Sequence, residues 1–155
     1  EKITIRRSSY VGANESLNFS YTHSALKKNV GKLGVLLSLK TSKKKKDILD
    51  LGKQLAMHIA ASAPMAISRD KLDQKVVEKE KEIITEELKT SGKDNKIIEK
   101  IAIGKINKFI SENTLLDQEW IMDTKKKVRD VIKEFEGNEK IEIEKFIRFK
   151  VGEGL

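Results

Sequence analysis

The stretch ILDLGKQLAMHIAASA at residues 48–63 constrains the fold of this chain more than any other part of the sequence. Four aliphatic residues recur there at the spacing of one helical face: Ile48, Leu51, Leu55 and Ile59. Alanines and Met57 cover much of the remaining helix surface, which is typical of a helix buried between layers. Pro64 lacks a backbone N–H and disfavours helical geometry at the residue before it. The sequence therefore predicts a buried central helix that ends at Ala63.

A chain of 155 residues is long enough for one hydrophobic core with one insertion. It contains no cysteine, which excludes disulfide bonds and thiolate zinc sites and fits a reducing compartment such as the cytoplasm. No apolar run approaches the roughly 20 residues that a membrane-spanning helix needs, so we expect no membrane association. Because the sequence starts at Glu1 within an alternating pattern, we expect it to be a piece of a longer protein.

Positive charge is concentrated in one part of the chain. The formal net charge is +8, and residues 17–46 carry eight lysines and no acidic residue. Such a segment could bind nucleic acid or an acidic partner. However, the whole chain has only five arginines, the side chain whose forked donors grip phosphate and read guanine. We therefore interpret the lysines as a solvated surface and do not expect nucleic acid as a partner, with an RNA- or ribosome-binding module as the alternative.

Alternating apolar and polar residues predict four strands. The first covers residues 2–11 and the second residues 17–23, joined by a hairpin turn at residues 12–14. A lysine-rich loop that ends at Gly31 leads to the third strand. Its inward face carries alternate residues: Leu33, Val35, Leu37 and Leu39. In the last strand one face carries Ile141, Ile143, Ile147, Phe149 and Val151, and the other carries Glu142, Glu144, Arg148 and Lys150.

Two amphipathic helices follow Pro64. Ser68 is predicted to cap the first, with Asp70 in its first turn. A break at residues 91–94 contains Gly92, which suits a left-handed cap, and the second helix covers residues 95–113. Two such helices form an antiparallel hairpin. Its 11 basic and 10 acidic residues between positions 69 and 112 indicate a solvated pair of helices, with a partner or dimer contact as the alternative.

The remaining residues return to the core. Residues 115–120 are predicted to be irregular, with Trp120 packed inside, and residues 125–135 to form a short helix. Together these predictions describe an α+β fold: a small, mostly antiparallel sheet of three to four strands with helices packed on one side and an inserted antiparallel helical hairpin.

Motifs for chemistry are missing from the sequence. It has neither a GxGxxG pattern nor a Walker A loop. Its two histidines, His23 and His58, lie far apart and outside any metal-ligand spacing; we expect His58 to be packed and hydrogen-bonded and His23 to be exposed. We therefore predict no catalytic, metal or cofactor site, and no enzyme.

A series of motifs in collinear order resembles the C-terminal part of the elongation factor Ts family. They are ITIRR (3–7), YTH (21–23), GKLGVLLSL (31–39), LGKQLAMHIAASAP (51–64), VVEKE (76–80), SGK (91–93), IIEKI (97–101), GKINKF (104–109), LLDQ (115–118) and FIRFKVGEG (146–154). The resemblance covers nearly the whole chain. Two departures from the family pattern are a longer basic stretch, SALKKNVGK, and Trp120 in place of a nearby Pro-Phe pair.

The resemblance implies a domain organisation. Residues 1–67 and 115–155 would form the second core subdomain, and residues 68–114 the inserted hairpin called the dimerisation region. It also implies docking on elongation factor Tu through three residues: Tyr21, His23 and Lys32. Candidates for contacts in a homodimer lie on the hairpin: Val76, Ile83, Ile98 and Phe109.

The resemblance further implies guanine-nucleotide exchange on elongation factor Tu during translation elongation, in the cytoplasm of a bacterium or the matrix of an organelle. The intact exchange factor would bind the nucleotide-free state better than the GDP state, without bond chemistry. The family's TDFVAKD-like exchange motif is not in this sequence. We therefore expect the chain to dock on elongation factor Tu and to self-associate.

Overall fold

A computed structural model describes residues 4–12, 16–89 and 94–154. Its strands are β1 (Ser16–Lys27), β2 (Val30–Lys40), β3 (Glu119–Trp120), β4 (Asp123–Lys127) and β5 (Glu142–Lys150). Its α-helices are α1 (Leu49–Ser62), α2 (Gln74–Lys89), α3 (Asn95–Asn113) and α4 (Val128–Glu136). Short 3-10 helices lie at Lys45–Ile48, Arg69–Lys71 and Leu115–Asp117. The predicted α+β class is confirmed.

The chain divides into two compact units. One lies within Glu1–Ala61 and Ile132–Leu155, and the other is Ser62–Val131. The first contains the three-stranded antiparallel sheet, with strand order β1-β2-β5. The second contains the helical hairpin and the two-stranded β3-β4 ribbon. The separation of residues 68–114 as an inserted domain stays a prediction.

The central helix forms as the apolar pattern indicates. Its four stripe residues are completely buried, with Ile48 at the end of the preceding 3-10 turn and Leu51, Leu55 and Ile59 within α1. His58 is also completely buried, which confirms its packing, and every buried side-chain polar atom of the described residues has a hydrogen-bond partner. Ala63 follows the helix with a φ of 45°, before Pro64.

The inward face of β2 packs as predicted. Leu33, Val35, Leu37 and Leu39 are all buried. Phe19 of β1 pairs with Leu37 and is buried on the same side of the sheet. Its ring lies so close to Gly52 of α1 that a β-carbon on that glycine would collide with it. The helix therefore packs on the sheet through a glycine at this point.

A β-bulge makes the predicted faces of β5 partly wrong. Ser38 pairs with Lys145 while Leu39 pairs with Ile143, so Glu144 is an extra residue. An extra residue reverses the alternation of all residues after it. Ile147 consequently lies opposite the outward-facing Leu36 rather than on the core side. The core side is instead occupied by Phe146 and Arg148, which pair with the buried Leu37 and Val35.

The predicted first strand is wrong for residues 4–11, which form no strand; residues 2 and 3, and residues 13 and 14 of the predicted turn, lie outside the described residues. Ile5 is 88% exposed, so its alternation with polar neighbours does not reflect burial. Instead, side chains hold the segment. Arg6 donates a hydrogen bond to the Glu153 carbonyl (2.9 Å), and the Arg7 guanidinium lies 4.4 Å from the centre of the Phe149 ring.

The predicted lysine-rich loop before Gly31 is also wrong. Both strands continue through it and meet at a two-residue turn, Lys28 and Asn29. Asn29 adopts a φ of 61°, a conformation that asparagine tolerates better than most residues. The register shifts between Ala25 and Lys27, and Ser24 just before this shift also has a positive φ, of 51°. The high lysine content of this segment led to the prediction of a loop where the structure has a β-hairpin.

The helical hairpin begins later than predicted. Ser68 provides no helix cap; its hydroxyl donates to the Asp70 carboxylate (2.6 Å) next to a 3-10 turn. The carboxylate of Asp73 instead accepts from the Lys75 N–H (2.9 Å) at the start of α2. The predicted bounds of α3 are confirmed, and Asp94 caps it through the Lys96 N–H (2.8 Å). The predicted break at residues 91–93, with Gly92, lies outside the described residues.

Backbone hydrogen bonds join the two ends of the hairpin. Ala66 and Thr114 form a parallel bridge, and the Leu115 N–H donates to the Ala66 carbonyl (2.9 Å). Ala66 also belongs to a small apolar cluster with Leu72 and Ile110. Val77, Ile106 and Phe109 pack against this cluster. The hairpin thus leaves and re-enters its unit at one place.

Residues 115–127 contain more regular structure than predicted. The segment predicted to be irregular contains β3, which pairs with β4. The end of β4 occupies residues that were predicted to start a helix. α4 therefore begins at Val128. Val128, Val131 and Ile132 are buried as expected, whereas Phe135 is 38% exposed. Trp120 is 3% exposed, which confirms that it packs inside.

Candidate partner-binding surfaces

Tyr21 and His23 lie two residues apart on β1 and face the same side of the sheet. The Tyr21 hydroxyl and the His23 Nδ1 are 3.0 Å apart, within hydrogen-bonding distance, and the ring centroids are 6.1 Å apart. Tyr21 is half-buried and His23 is exposed, as expected for it. The pair thus places a partly exposed aromatic ring beside an exposed imidazole, which suits contact with another protein.

Lys32 lies apart from this pair. It is exposed on β2, next to Leu33, which pairs with His23. Because successive residues of a strand point to opposite faces, Lys32 projects on the side of the sheet away from His23. Of the three residues predicted to bind a partner, the structure therefore brings two together and separates the third.

Arg148 connects the motifs that lie far apart in sequence. Its Nε donates to the Ala60 carbonyl near the end of α1 (3.2 Å), and its guanidinium pairs with Glu153 (2.6 Å). Arg6 reaches the Glu153 and Gly154 carbonyls, and Arg7 lies 3.9 Å from the Glu153 carboxylate. The ITIRR, AMHIAAS and RFKVGEG segments therefore meet at the Arg148–Glu153 pair: Arg148 contacts AMHIAAS, and Glu153 contacts ITIRR. Their concentration here has a structural cause: together they fix the segment before β1 and the segment after β5 relative to α1.

The carboxylate of Glu144 is the second polar junction of the sheet. It accepts hydrogen bonds from the hydroxyls of Ser16 on β1 (2.5 Å) and Ser38 on β2 (2.8 Å). These two hydrogen bonds, the Ser16 bond first, hold the pKa of Glu144 below its ordinary value, against an opposing effect of desolvation. The bulged residue therefore ties β5 to both other strands.

The hairpin residues predicted for self-association differ in exposure. Phe109 is half-buried and packs on the cluster at the hairpin base. Val76 and Ile98 are also half-buried. Of these four residues, only Ile83 is exposed, at 46%.

Two further exposed hairpin residues were missed by the sequence reasoning. Ile97 is 51% exposed and Ile103 is 61% exposed, both on α3. Ile97 lies off the apolar stripe that runs through Ile98, Ile106 and Ile110, and this displacement is the signal that could have identified it. Ile103 has the i, i+3, i+7 spacing of Ile106 and Ile110, so the sequence pattern gave no such signal for it. Exposed isoleucines on a charged helix are candidates for contact with another chain.

Among residues 4–12, 16–89 and 94–154, no group of three or more histidine, aspartate or glutamate side chains could hold a metal ion. No described helix is both long and apolar enough to cross a membrane.

Comparison with known proteins identifies a consistent set of relatives. The family model described as Elongation factor TS matches residues 1–153. The chain is similar over its full length to elongation factor Ts of Rickettsia felis, with 40% identity over 158 residues, and of Erythrobacter litoralis, with 38% over 157 residues. It is 36% identical over 157 residues to that of Nitrobacter hamburgensis. Each alignment covers 51% of the relative, so the chain spans about half the length of these proteins.

Proposed function

Because the chain belongs to the elongation factor Ts family, we propose that it is the part of a guanine-nucleotide exchange factor that docks on elongation factor Tu in the cytoplasm. Within such a factor it corresponds to the second core subdomain and the inserted helical hairpin. Two observations support this assignment: the family match extends over residues 1–153, and the family-like segments converge on the Arg148–Glu153 pair. The surface that presents Tyr21 and His23 is the proposed docking site.

Exchange of this kind works through binding free energy. A factor that binds the nucleotide-free state of its partner more tightly than the GDP state weakens GDP binding by the same factor. No covalent step is needed, and the protein is not an enzyme in this role. Because the TDFVAKD-like exchange motif is not in this sequence, the described surfaces supply docking and not the displacement of nucleotide.

The test is a titration of the chain against elongation factor Tu, with and without GDP, alongside a GDP-release assay. We expect weak binding and no acceleration of GDP release. His23→Ala should weaken binding by about tenfold or more if His23 lies at the centre of the contact. Asn18→Ala is the matched control, because Asn18 is exposed on the same strand but on the opposite face. Normal exchange at stoichiometric amounts, or an absence of binding, would overturn the proposal.

We also propose that the hairpin mediates self-association. The exposed Ile83, Ile97 and Ile103 support this proposal, since each would gain from removal from water. Sedimentation velocity over a range of concentrations tests it. Ile103→Ser should shift the chain toward monomer, whereas Lys100→Ser, on an exposed part of the same helix, should not. A sedimentation coefficient independent of concentration in the unaltered chain would exclude this role.

A further inference from the structure

The β1–β2 hairpin extends beyond the third strand of its sheet. The last ladder pair between β2 and β5 joins Leu33 to Lys150, with one additional hydrogen bond from the Val151 N–H to the Lys32 carbonyl (2.8 Å). Residues 24–31, which we call the hairpin tip, therefore lie beyond the pairing with β5. All of them are exposed except the half-buried Gly31. The side chains of the tip therefore contribute no buried surface to the core of the sheet.

Two aliphatic side chains are exposed in the strand ends that flank the turn. Leu26 is 75% exposed and Val30 is 54% exposed, on either side of the turn at Lys28 and Asn29. A two-stranded ribbon is marginally stable in water, and exposed aliphatic side chains do not improve it. The composition of the tip is therefore better explained by contact with another molecule than by folding.

The charge of the tip is uncompensated. Lys27 and Lys28 form no ion pair with any residue that the structure describes. Lys32 and Lys150 add positive charge at the root of the tip, and residues 17–46 contain no acidic residue. The nearby Glu153 is already paired with Arg148. A partner that covered these lysines would therefore have to supply negative charge.

The combination of lysine and aliphatic side chains favours one class of partner. RNA recognition relies on aromatic stacking and on arginine, and the tip has neither. Anionic membranes are bound by larger clusters, of about four to eight basic residues. An acidic protein surface with an apolar depression satisfies both the lysines and the two aliphatic side chains. The tip is also continuous with the proposed docking pair, since Ser24 follows His23 directly.

We infer that the hairpin tip is a second contact of this chain, formed by Lys27 and Lys28 with an acidic protein surface and by Leu26 and Val30 with an apolar site beside it. The inference rests on the proposed function, which places that surface on elongation factor Tu. Contacts of exposed charges act mainly on the association rate and its salt dependence, and aliphatic contacts act on dissociation.

The experiment measures association and dissociation rates with nucleotide-free elongation factor Tu at low and high salt. The variant Lys27→Glu/Lys28→Glu should slow association by about tenfold at low salt and by much less at high salt. Lys44→Glu/Lys46→Glu is the matched control: it makes the same change in net charge at exposed lysines outside the tip, before α1. Leu26→Ser/Val30→Ser should speed dissociation several-fold without changing the salt dependence. Because these side chains are exposed, all variants should fold, and circular dichroism checks this.

The outcomes are separable. If the unaltered chain binds and both double lysine variants bind equally well, or lose association equally, the tip makes no specific contact and the inference is overturned. A second assay measures binding to a single-stranded uridine 20-mer. If the tip variant loses this binding but still binds elongation factor Tu normally, the tip contacts nucleic acid and the inference is overturned. Failure of the unaltered chain to bind elongation factor Tu would overturn the proposed function, and this inference with it.

Discussion

The ring of Phe19 on β1 lies directly against Gly52 of α1, in the space that any larger residue at that position would need for its β-carbon. On the other residues of the helix, side chains separate the backbone from the sheet. Here the absence of a side chain allows the aromatic ring to approach the helix backbone. The Lys45 ammonium lies 5.4 Å from the centre of the same ring. The Phe19 side chain therefore packs between its own strand and the start of α1.

Gly52→Ala should destabilise the fold although alanine is the better helix former. The added methyl group would collide with the Phe19 ring, and overpacking costs about 1–3 kcal/mol, against a gain in helix propensity of about 1 kcal/mol. Gly104→Ala is the control, because a β-carbon there meets nothing within 4 Å. It should stabilise α3 by about 0.5–1 kcal/mol. Urea unfolding measures both, and equal effects of the two substitutions would contradict the close contact.

Leu55→Ala should cost about 2–5 kcal/mol of unfolding free energy, since the Leu55 side chain is completely buried in the middle of α1. Lys53→Ala, on the exposed side of the same helix, should change stability by less than about 0.5 kcal/mol. Chemical denaturation monitored by circular dichroism gives both values. A loss below about 0.5 kcal/mol for Leu55→Ala would mean that the core does not depend on this stripe.

Arg148→Lys should destabilise the chain despite retaining the charge. A lysine cannot donate both to the Ala60 carbonyl and to the Glu153 carboxylate in the geometry of the guanidinium fork. The loss should be about 1–3 kcal/mol, because the Arg148 side chain is only 13% exposed. Glu153→Gln, which alters the more exposed partner, should cost less. Thermal unfolding compares the two, and a neutral Arg148→Lys would show that the junction contributes little.

Glu144→Gln should destabilise the chain at neutral pH and lose this effect in acid. The pKa of Glu144 is lowered in the folded state, chiefly by the hydrogen bond from Ser16 and then by that from Ser38. A carboxyl group with a lowered pKa contributes stability above its unfolded pKa, and this contribution disappears as the pH falls through the folded value. The gap between the two proteins should therefore be full above about pH 5 and close as the pH drops below the ordinary value of 4.5. Urea midpoints across this range test the sign; a gap that widens in acid would contradict it.

Replacing residues 69–113 with a short glycine–serine linker should leave the sheet and α1 folded. The bridge between Ala66 and Thr114 shows that the two ends are already adjacent, so a short linker closes the gap at little entropic cost. The deletion should weaken self-association more than binding to elongation factor Tu. The near-ultraviolet signal of Trp120 reports packing, and its loss would show that the hairpin is required for the fold.

Periodicity predicted the elements that bury a continuous stripe. The central helix, the part of β2 from Leu33 to Leu39 and α3 followed from their apolar spacing, because each has an apolar stripe that packs against a neighbouring element. The strand predicted at residues 4–11 is wrong for the opposite reason, since this segment buries no continuous stripe. Ile5 alternates with polar residues but has no strand to pair with, and local pattern contains no information about pairing. The lysines around Asn29 likewise obscured a tight turn, since composition favoured a loop.

The contacts that build the candidate surfaces were beyond sequence reasoning for a different reason. Arg148 was assigned to the outer face because strict alternation was assumed, and nothing in the local sequence indicates the bulge at Glu144. The Tyr21–His23 pair was available from its spacing on a strand. The position of Ile97 off the apolar stripe of α3 was likewise available from the sequence. By contrast, the exposure of Ile103, which shares the spacing of that stripe, depends on the rotation of α3 about its axis, which tertiary packing decides.

Because of the bulge, the number of residues in β5, rather than their type, decides which side of the sheet each residue faces. Paired with β2 at its present length but without the bulge, β5 would turn Ile147 and Phe149 toward α1 and send Arg148 to the opposite side. Deleting Glu144 itself would instead remove the extra residue and leave Lys145, Phe146 and Arg148 opposite Ser38, Leu37 and Val35. Such a deletion would cost the strand its two serine contacts without reversing its faces. One extra residue thus lets Ile143 and Arg148, on either side of it, face the same side of the sheet.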